Sequence, residues 1–446
     1  MKTILILEDN EDRILAFTRA LETLGEGIEL KLWRDAPSMI AECQAFFPSA
    51  VLISLDHDLN RLPGATHEPG TGLEVAQYLG DFLPVCPVLI HSSNVDRVYS
   101  MQNELRFSGW LVERVGPLGE NWIETSWLQN AKRLLADHKN TWKAELPPDH
   151  AERMERVRLS LDGLGLGDSL GEAMFFDMGM APRRLAEGHL PSAPWFHTDD
   201  TEMAISIAAV LNSHGFIHQD ALAKRFARRY ERDRFRGYGP GMRSQLCRMM
   251  TGTRWQDTSK DAFGGQGSMG NGSAMRVAPL GGYFADDLVR CAEQARDSSL
   301  VTHAHPEGVA GAIAIAIAAA MACQLNHVFG AERADRLFAS VLEHTPESRV
   351  REGIVLANKA PASAPVADVA RVLGNGCEVT CPNTVPFCVW MAAHHLGSFV
   401  APLGKTMSVG GDCDTNAAIV CGILALSVGR DGLPPGWLAK RETVRI

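Results

Sequence analysis

The sequence predicts two units, the first a doubly wound α/β sheet of five parallel strands. Three observations carry this. Short apolar runs alternate with helix-length segments through about the first 140 residues, the rhythm of a βα chain. The stretch Ala144-Glu145-Leu146-Pro147-Pro148-Asp149-His150 then breaks that rhythm. Beyond it the apolar runs lengthen to helical size, as from Val309 to Leu325. The expected boundaries are residues 1–143 for the α/β unit, 144–157 for a linker and 158–446 for the second unit.

The strand-like runs are Thr3 to Leu7, Glu29 to Trp33, Ala50 to Leu55, Pro87 to His91 and Trp110 to Val115. Helical segments separate or follow them: Glu11 to Leu24, Pro37 to Phe46, Gly72 to Phe82, Val95 to Arg106 and Trp122 to His138. In such sheets ligands bind beyond the carboxyl ends of the strands. Polar residues gather there: Glu8-Asp9-Asn10, Asp56-His57-Asp58 and His91-Ser92-Ser93-Asn94. Asp9, Asp56, His57, Asp58, His91 and Asn94 are the candidate site of this unit.

After the Ala144 to His150 stretch, Glu152 to Arg158 is charged and helical and leads into a Gly163 to Gly171 loop. Two acidic clusters follow, far apart in the chain: Thr198-Asp199-Asp200-Thr201 and Gly410-Gly411-Asp412-Cys413-Asp414-Thr415. Each offers only hard oxygen ligands, which suit Mg²⁺, Mn²⁺ or Ca²⁺ rather than zinc. Taken singly, each is also a good helix N-cap with an apolar run behind it. Two together point to a shared cation site, since such charge is costly to bury unneutralised. Between them lies Gly267-Ser268-Met269-Gly270-Asn271-Gly272-Ser273-Ala274-Met275-Arg276. It lacks the strand and crossover of a dinucleotide fingerprint, but its amides suit a diphosphate.

Composition narrows the class. The chain has 446 residues, 46% hydrophobic and 22% charged, with a net charge of −10. This balance is that of a globular protein and argues against a dedicated nucleic-acid binder. The basic stretch from Lys224 to Arg236 reads first as a solvated helix face and second as a route for an anionic substrate. The ten cysteines lack disulfide or zinc spacing, and several, including Cys247, Cys291, Cys323 and Cys421, lie in apolar runs. Buried thiols, an amino terminus that meets Glu8-Asp9 too early for a signal peptide, and a buried reading of the Val309 to Leu325 run make a cytoplasmic protein the expectation.

In order along the chain, Gly167-Asp168-Ser169-Leu170-Gly171, Thr198-Asp199-Asp200-Thr201, the Gly267 to Arg276 loop, Thr302-His303 and Gly411-Asp412-Cys413-Asp414-Thr415-Asn416-Ala417 resemble the motifs of ADP-ribosylglycohydrolases. The resemblance covers roughly Arg158 to Val428. It implies an all-α fold, two Mg²⁺ ions and hydrolysis at C1″ of the distal ribose of an ADP-ribosylated protein, nucleic acid or small molecule. It also implies Thr198, Asp199, Asp200, Asp412, Asp414 and Thr415 as metal ligands. The substrate contacts it implies are Asp168, Gly267, Ser268, Gly270, Asn271, Gly272 and His303. Asp199, Asp200 and Asp412 would be catalytic. Many members carry a glutamate four residues after the first motif's last glycine, where this chain has Phe175; Glu172 is the nearest substitute.

The first unit resembles a response-regulator receiver with Asp56 at the phosphoacceptor position. It lacks the lysine expected after the fifth strand, and its histidines resemble those of divergent receivers that process cyclic phosphates. A histidine acid–base pair and a docking-only receiver are both open readings. The function expected is Mg²⁺-dependent ADP-ribosyl hydrolysis. The alternatives are an RNA-repair or conflict enzyme acting on ADP-ribose cyclic phosphates, and a non-enzymatic ADP-ribose sensor.

Overall fold

The computed structural model describes residues 2–24, 27–61, 64, 67–82, 84–108, 110–137, 146–328, 330, 332–444 and 446. Residues 144 and 145 of the expected linker, and the His138 end of the fifth expected helix, lie outside these. The chain divides into two compact units, Met1–Glu145 and Leu146–Ile446.

In the first unit, β1 (Lys2–Leu7), β2 (Ile28–Trp33), β3 (Ala50–Leu55), β4 (Val88–Ile90) and β5 (Val112–Arg114) form a parallel sheet in the order β2-β1-β3-β4-β5. Alternate residues face opposite sides, and both sides are covered, as an all-parallel sheet requires. Leu5, Leu7, Ile53 and Leu55 enter one core, while Ile4, Ile6 and Leu52 enter the other. Helix starts are set by local chemistry. Asn10, Asp35, Thr71 and Asn94 each accept a hydrogen bond from the backbone N–H three residues on, capping the helices Glu11–Glu22, Ala36–Glu42, Gly72–Leu79 and Val95–Phe107. The strands β4 and β5 are shorter than the apolar runs suggested.

The second unit is helical, and among its described residues only isolated bridges interrupt that pattern. Its first helix, His150–Ala173, begins inside the expected linker and runs through the Gly163 to Gly171 stretch, so that stretch is not a loop. The glycines are there for packing. Gly163, Gly167 and Gly171 repeat every fourth residue and therefore share one helix face. A β-carbon at Gly163 or Gly167 would collide with the carbonyl oxygens of Cys421 and Ala417, and one at Gly171 would lie 2.5 Å from Asp414 Cα. This stripe lets the helix Cys413–Val428 come close, and the Ser160 hydroxyl donates to the Gly422 carbonyl at 2.8 Å. Each interior glycine costs about 1 kcal/mol of helix propensity, which the close packing offsets. The consequence for function is that Asp168 and Asp414 are brought side by side.

Pro306–Gln324 is long and apolar enough to cross a membrane by length and composition, and is 78% buried within the fold. All ten cysteines are unbonded. Cys247 and Cys377 are exposed, so the buried reading fails for Cys247, which lies on the outward side of the helix Pro240–Met250.

Candidate active site

Asp168 is wholly buried, and its carboxylate organises the first acidic cluster. It accepts hydrogen bonds from the backbone N–H of Thr198 at 3.0 Å and of Thr201 at 3.1 Å, and from the Thr198 hydroxyl at 2.8 Å and the Thr201 hydroxyl. It thus caps the helix Asp199–His214 from outside, while the Thr198 side chain accepts from Asp200 N–H. The cap reading of Thr198 to Thr201 holds, and the same residues carry the first acidic cluster. The Arg236 carbonyl also joins this corner, accepting from Asp199 N–H at 2.6 Å.

The second cluster enters from the start of the helix Cys413–Val428, with Asp412 at its N-cap. One carboxylate oxygen from each of Asp168, Asp200 and Asp414 lies within 4.8 Å of the other two. Burial, and then the charges of Asp168 and Asp414, hold the Asp199 and Asp200 carboxyls well above the usual range. Burial and the neighbouring Asp414 charge push Asp168 up to about 6 and Asp412 up to about 7. Asp200 Oδ1 is buried with no hydrogen-bond partner among the described residues. A divalent cation fits this donor set, because it would satisfy that oxygen and relieve the repulsion together.

The glycine-rich loop is tied to the same place. Asn271 donates from Nδ2 to Asp412 at 2.7 Å and to the Thr384 hydroxyl at 3.1 Å. Gly270 N–H donates to the Ser268 hydroxyl at 3.1 Å, and Gly270 bridges to Thr380. His303 lies beneath the loop: a β-carbon on Gly272 would sit 3.0 Å from its Nε2. Burial and the Arg276 charge hold His303 down to about 3, so it is a neutral prop whose Nδ1 meets the Thr302 hydroxyl at 2.7 Å. Arg276 is itself wholly buried, donating to Thr302 at 2.9 Å and to the Ser298 carbonyl at 3.0 Å, with its guanidinium 4.5 Å from the Phe226 ring centre.

Residues 149–445 match the family model of ADP-ribosylglycohydrolase. The chain belongs to the ADP-ribosylglycohydrolase family. It is 29% identical over 334 residues to ADP-ribosylhydrolase ARH3 of Xenopus tropicalis, covering 66% of this chain and 92% of that protein. It is 26% identical over 294 residues to the ADP-ribosyl-[dinitrogen reductase] glycohydrolase of Rhodospirillum rubrum, covering 63% and 88%. A solved ADP-ribosylglycohydrolase-related protein complex aligns with 66% of this chain and 94% of its own, at 23% identity and a TM-score of 0.46. The protein is an enzyme that hydrolyses glycosyl bonds in ADP-ribosylation, and its acidic clusters supply the kind of ligands this metal-dependent family needs.

In this ADP-ribosylglycohydrolase, Asp168 bonds the first cluster and His303 lies against the glycine-rich loop, beside the substrate-contact role that the resemblance implies for both. Sequence reasoning missed one loop. Asn375 accepts through its carbonyl from Asp412 N–H at 3.2 Å and from Asn416 Nδ2 at 2.7 Å. Gly376, at φ +85°, leaves room for Asp412, whose Cβ would be 2.7 Å from a β-carbon there. The Gly374-Asn375-Gly376 run was the available signal. Glu172 is exposed at the edge of the cluster, and partial burial and the Asp414 charge raise its carboxyl. Thr415 is buried beside Asp414.

The first unit has its own acidic group: carboxylate oxygens of Glu8, Asp9 and Asp56 lie within 4.8 Å of one another, all buried. Arg13 reaches into it, 3.1 Å from Asp56 and 3.5 Å from Glu8. Asp9 is engaged by Asn60, from N–H at 2.7 Å and from Nδ2 at 2.9 Å. His57 pairs with Asp58 at 2.8 Å, and Asn94 donates to the same carboxylate at 3.3 Å. His91 has no exposed surface: Nδ1 meets Ser54 Oγ at 2.8 Å, Nε2 faces Glu8 at 3.4 Å, and the ring stacks on Trp122. Its ring nitrogens thus face Ser54 and Glu8, while His57 faces Asp58. Glu8, Arg13 and Trp122 were missing from the candidate set because their roles depend on contacts remote in sequence.

Proposed function

We propose that this enzyme cleaves the bond at C1″ of the distal ribose of an ADP-ribosylated substrate, using two Mg²⁺ ions for which Mn²⁺ can substitute. The observation that carries this is Asp200, whose buried Oδ1 has no partner among the described residues and which places one carboxylate oxygen within 4.8 Å of Asp168 and Asp414. Thr198, Asp199, Asp200, Asp412, Asp414 and Thr415 would hold the ions. When bound, such ions supply Lewis-acid charge and orient hydroxyls and water. The chain's own residues do the rest. Asp168 fixes the Thr198 and Thr201 hydroxyls, Asn271 and the Asn375 carbonyl fix Asp412, and the Gly267 to Gly272 loop would take the diphosphate, although its Gly267, Gly270 and Asn271 amides already bond Ala262, Ser268 and Val379. A carboxylate of the Asp199, Asp200 and Asp412 set accepts the proton of the attacking water. The sensor alternative is disfavoured because simple binding does not require both acidic clusters.

Glu172 stands in for the glutamate replaced by Phe175. Glu172→Gln is expected to lower kcat by about tenfold with little change in ADP-ribose affinity, the low end for a general acid or base. A loss confined to KM would show that Glu172 only positions the ligand. The first unit acts as an accessory domain rather than a phosphoacceptor, since Asp56 is buried and already paired with Arg13. After treatment of the full chain with acetyl phosphate, intact-mass analysis should show no acyl phosphate; a phosphorylated Asp56 would restore the ordinary receiver reading. The functional reading itself is tested by product analysis on ADP-ribosyl-arginine, ADP-ribosyl-serine and ADP-ribose 1″,2″-cyclic phosphate. It predicts free ADP-ribose from at least one of the first two. Opening of the cyclic phosphate alone would favour the RNA-repair reading.

A further inference from the structure

Two phenylalanines stand almost fully in solvent on short, anchored segments beside the two acidic clusters. Phe235 is 96% exposed and Phe176 is 98% exposed. The segment carrying Phe235 is not loose. Its neighbour Arg236 donates to both Glu442 oxygens at 2.6 and 2.7 Å, to Asp233 at 2.8 Å and to the His197 carbonyl at 3.0 Å. The Arg236 carbonyl is the group that accepts from Asp199 N–H, so Phe235 is one residue from a direct bond to the first cluster. A β-carbon at Gly237 would lie 3.3 Å from Asp199 Oδ1. Phe176 belongs to the turn Phe175–Met180, which follows the helix that touches Asp414 through Gly171. That turn is held by the Asp177–Arg184 ion pair, and Phe175 meets Phe176 edge-on at 5.5 Å.

A large apolar side chain left in water gains nothing for the fold, and two of them on anchored segments beside one site suit a contact surface. The charge around Phe235 indicates what it contacts. Arg232 and Arg234 flank it, both are exposed, and neither has a carboxylate partner among the described residues; Arg234 lies 5.7 Å from the Tyr230 ring centre. Exposed aromatics interleaved with cations suit a stacked base with phosphates on either side. A guanidinium acceptor would also stack on a ring, but the two flanking arginines repel it.

We infer that Phe176 and Phe235 determine acceptor specificity by stacking on a planar nucleobase leaving group, and that Arg232 and Arg234 contact the phosphates of the strand that carries it. The inference rests on the proposed cleavage at C1″. In the step implied, the bond from C1″ to the base nitrogen breaks and its electron pair goes to the base. Water gives its hydroxyl to C1″ and a proton to the base.

The test compares kcat/KM on a single-stranded oligonucleotide ADP-ribosylated on one base with kcat/KM on ADP-ribose 1″-phosphate, whose leaving group is not planar. In Phe176→Ala and Phe235→Ala the ratio of the two should fall about tenfold, within the range for loss of one base–aromatic stack. Tryptophan at either position should restore the ratio, and leucine should not. Arg232→Ala and Arg234→Ala should flatten the salt dependence of KM on the oligonucleotide. An unchanged ratio in both alanine variants overturns the inference and leaves the proposed cleavage standing. So does a wild-type preference for arginine- or serine-linked peptides over the base. Failure of the wild-type enzyme to release ADP-ribose from any of these substrates overturns the proposed cleavage and the inference with it.

Discussion

Asp200→Ala or Asp412→Ala is expected to lower kcat/KM by about a thousandfold or more, because loss of a metal ligand forfeits several kcal/mol of transition-state stabilisation. Mg²⁺ binding followed by calorimetry should weaken in both variants. The helical fold should survive, since Asp200 is a buried carboxylate whose ionised form is disfavoured by burial and by Asp168 and Asp414. Removing it relieves that repulsion at the cost of one hydrogen bond, from the Thr198 hydroxyl at 3.1 Å. Unchanged Mg²⁺ affinity in both variants would contradict a site shared by the two clusters.

The metal-free protein should lose stability as pH rises, and Mg²⁺ should restore it. Burial and the Asp414 charge push Asp168 from 3.8 up to about 6 and Asp412 from 3.8 up to about 7, and Asp199 and Asp200 are raised further by burial and by Asp168 and Asp414. A folded-state pKa above the unfolded value means that the folded chain holds more protons between the two. The contribution of these groups is therefore fully present below about pH 4 and is lost as pH climbs through 6 and 7 and beyond. Cations compete with those protons, so the Mg²⁺-dependent rise in Tm should be larger at pH 8 than at pH 5. At a hundredfold excess over Kd the gain is about 2.7 kcal/mol, or roughly 5 °C for a unit of this size. Thermal melts with chelator or Mg²⁺ at both pH values check this. A larger Mg²⁺ effect at pH 5 would contradict it.

These predictions rest on features that were legible to different degrees. The five strands could be read because a parallel sheet is covered on both faces, so runs such as Ile4-Leu5-Ile6-Leu7 are apolar throughout. The acidic clusters could be read because there are two of them, and together they carry a charge that is costly to bury without a cation. The Gly163 to Gly171 stretch was misread because glycine signals a turn locally. Only the partner helix at Ala417 and Cys421 shows that its absent side chains are for close packing. The Asn375 loop was missed because it acts through a carbonyl, which every residue has, and its flanking glycines were the one local sign of it. His91 stood out as a histidine at a strand end, but its burial against Ser54, Glu8 and Trp122 depends on contacts distant in sequence.

Hydrolysis of ADP-ribose 1″-phosphate in ¹⁸O-labelled water tests the central claim, cleavage at C1″, most directly. If water attacks C1″, the bond from C1″ to oxygen breaks and the released phosphate carries no ¹⁸O. Phosphate labelled with ¹⁸O would place the attack at phosphorus and contradict the account.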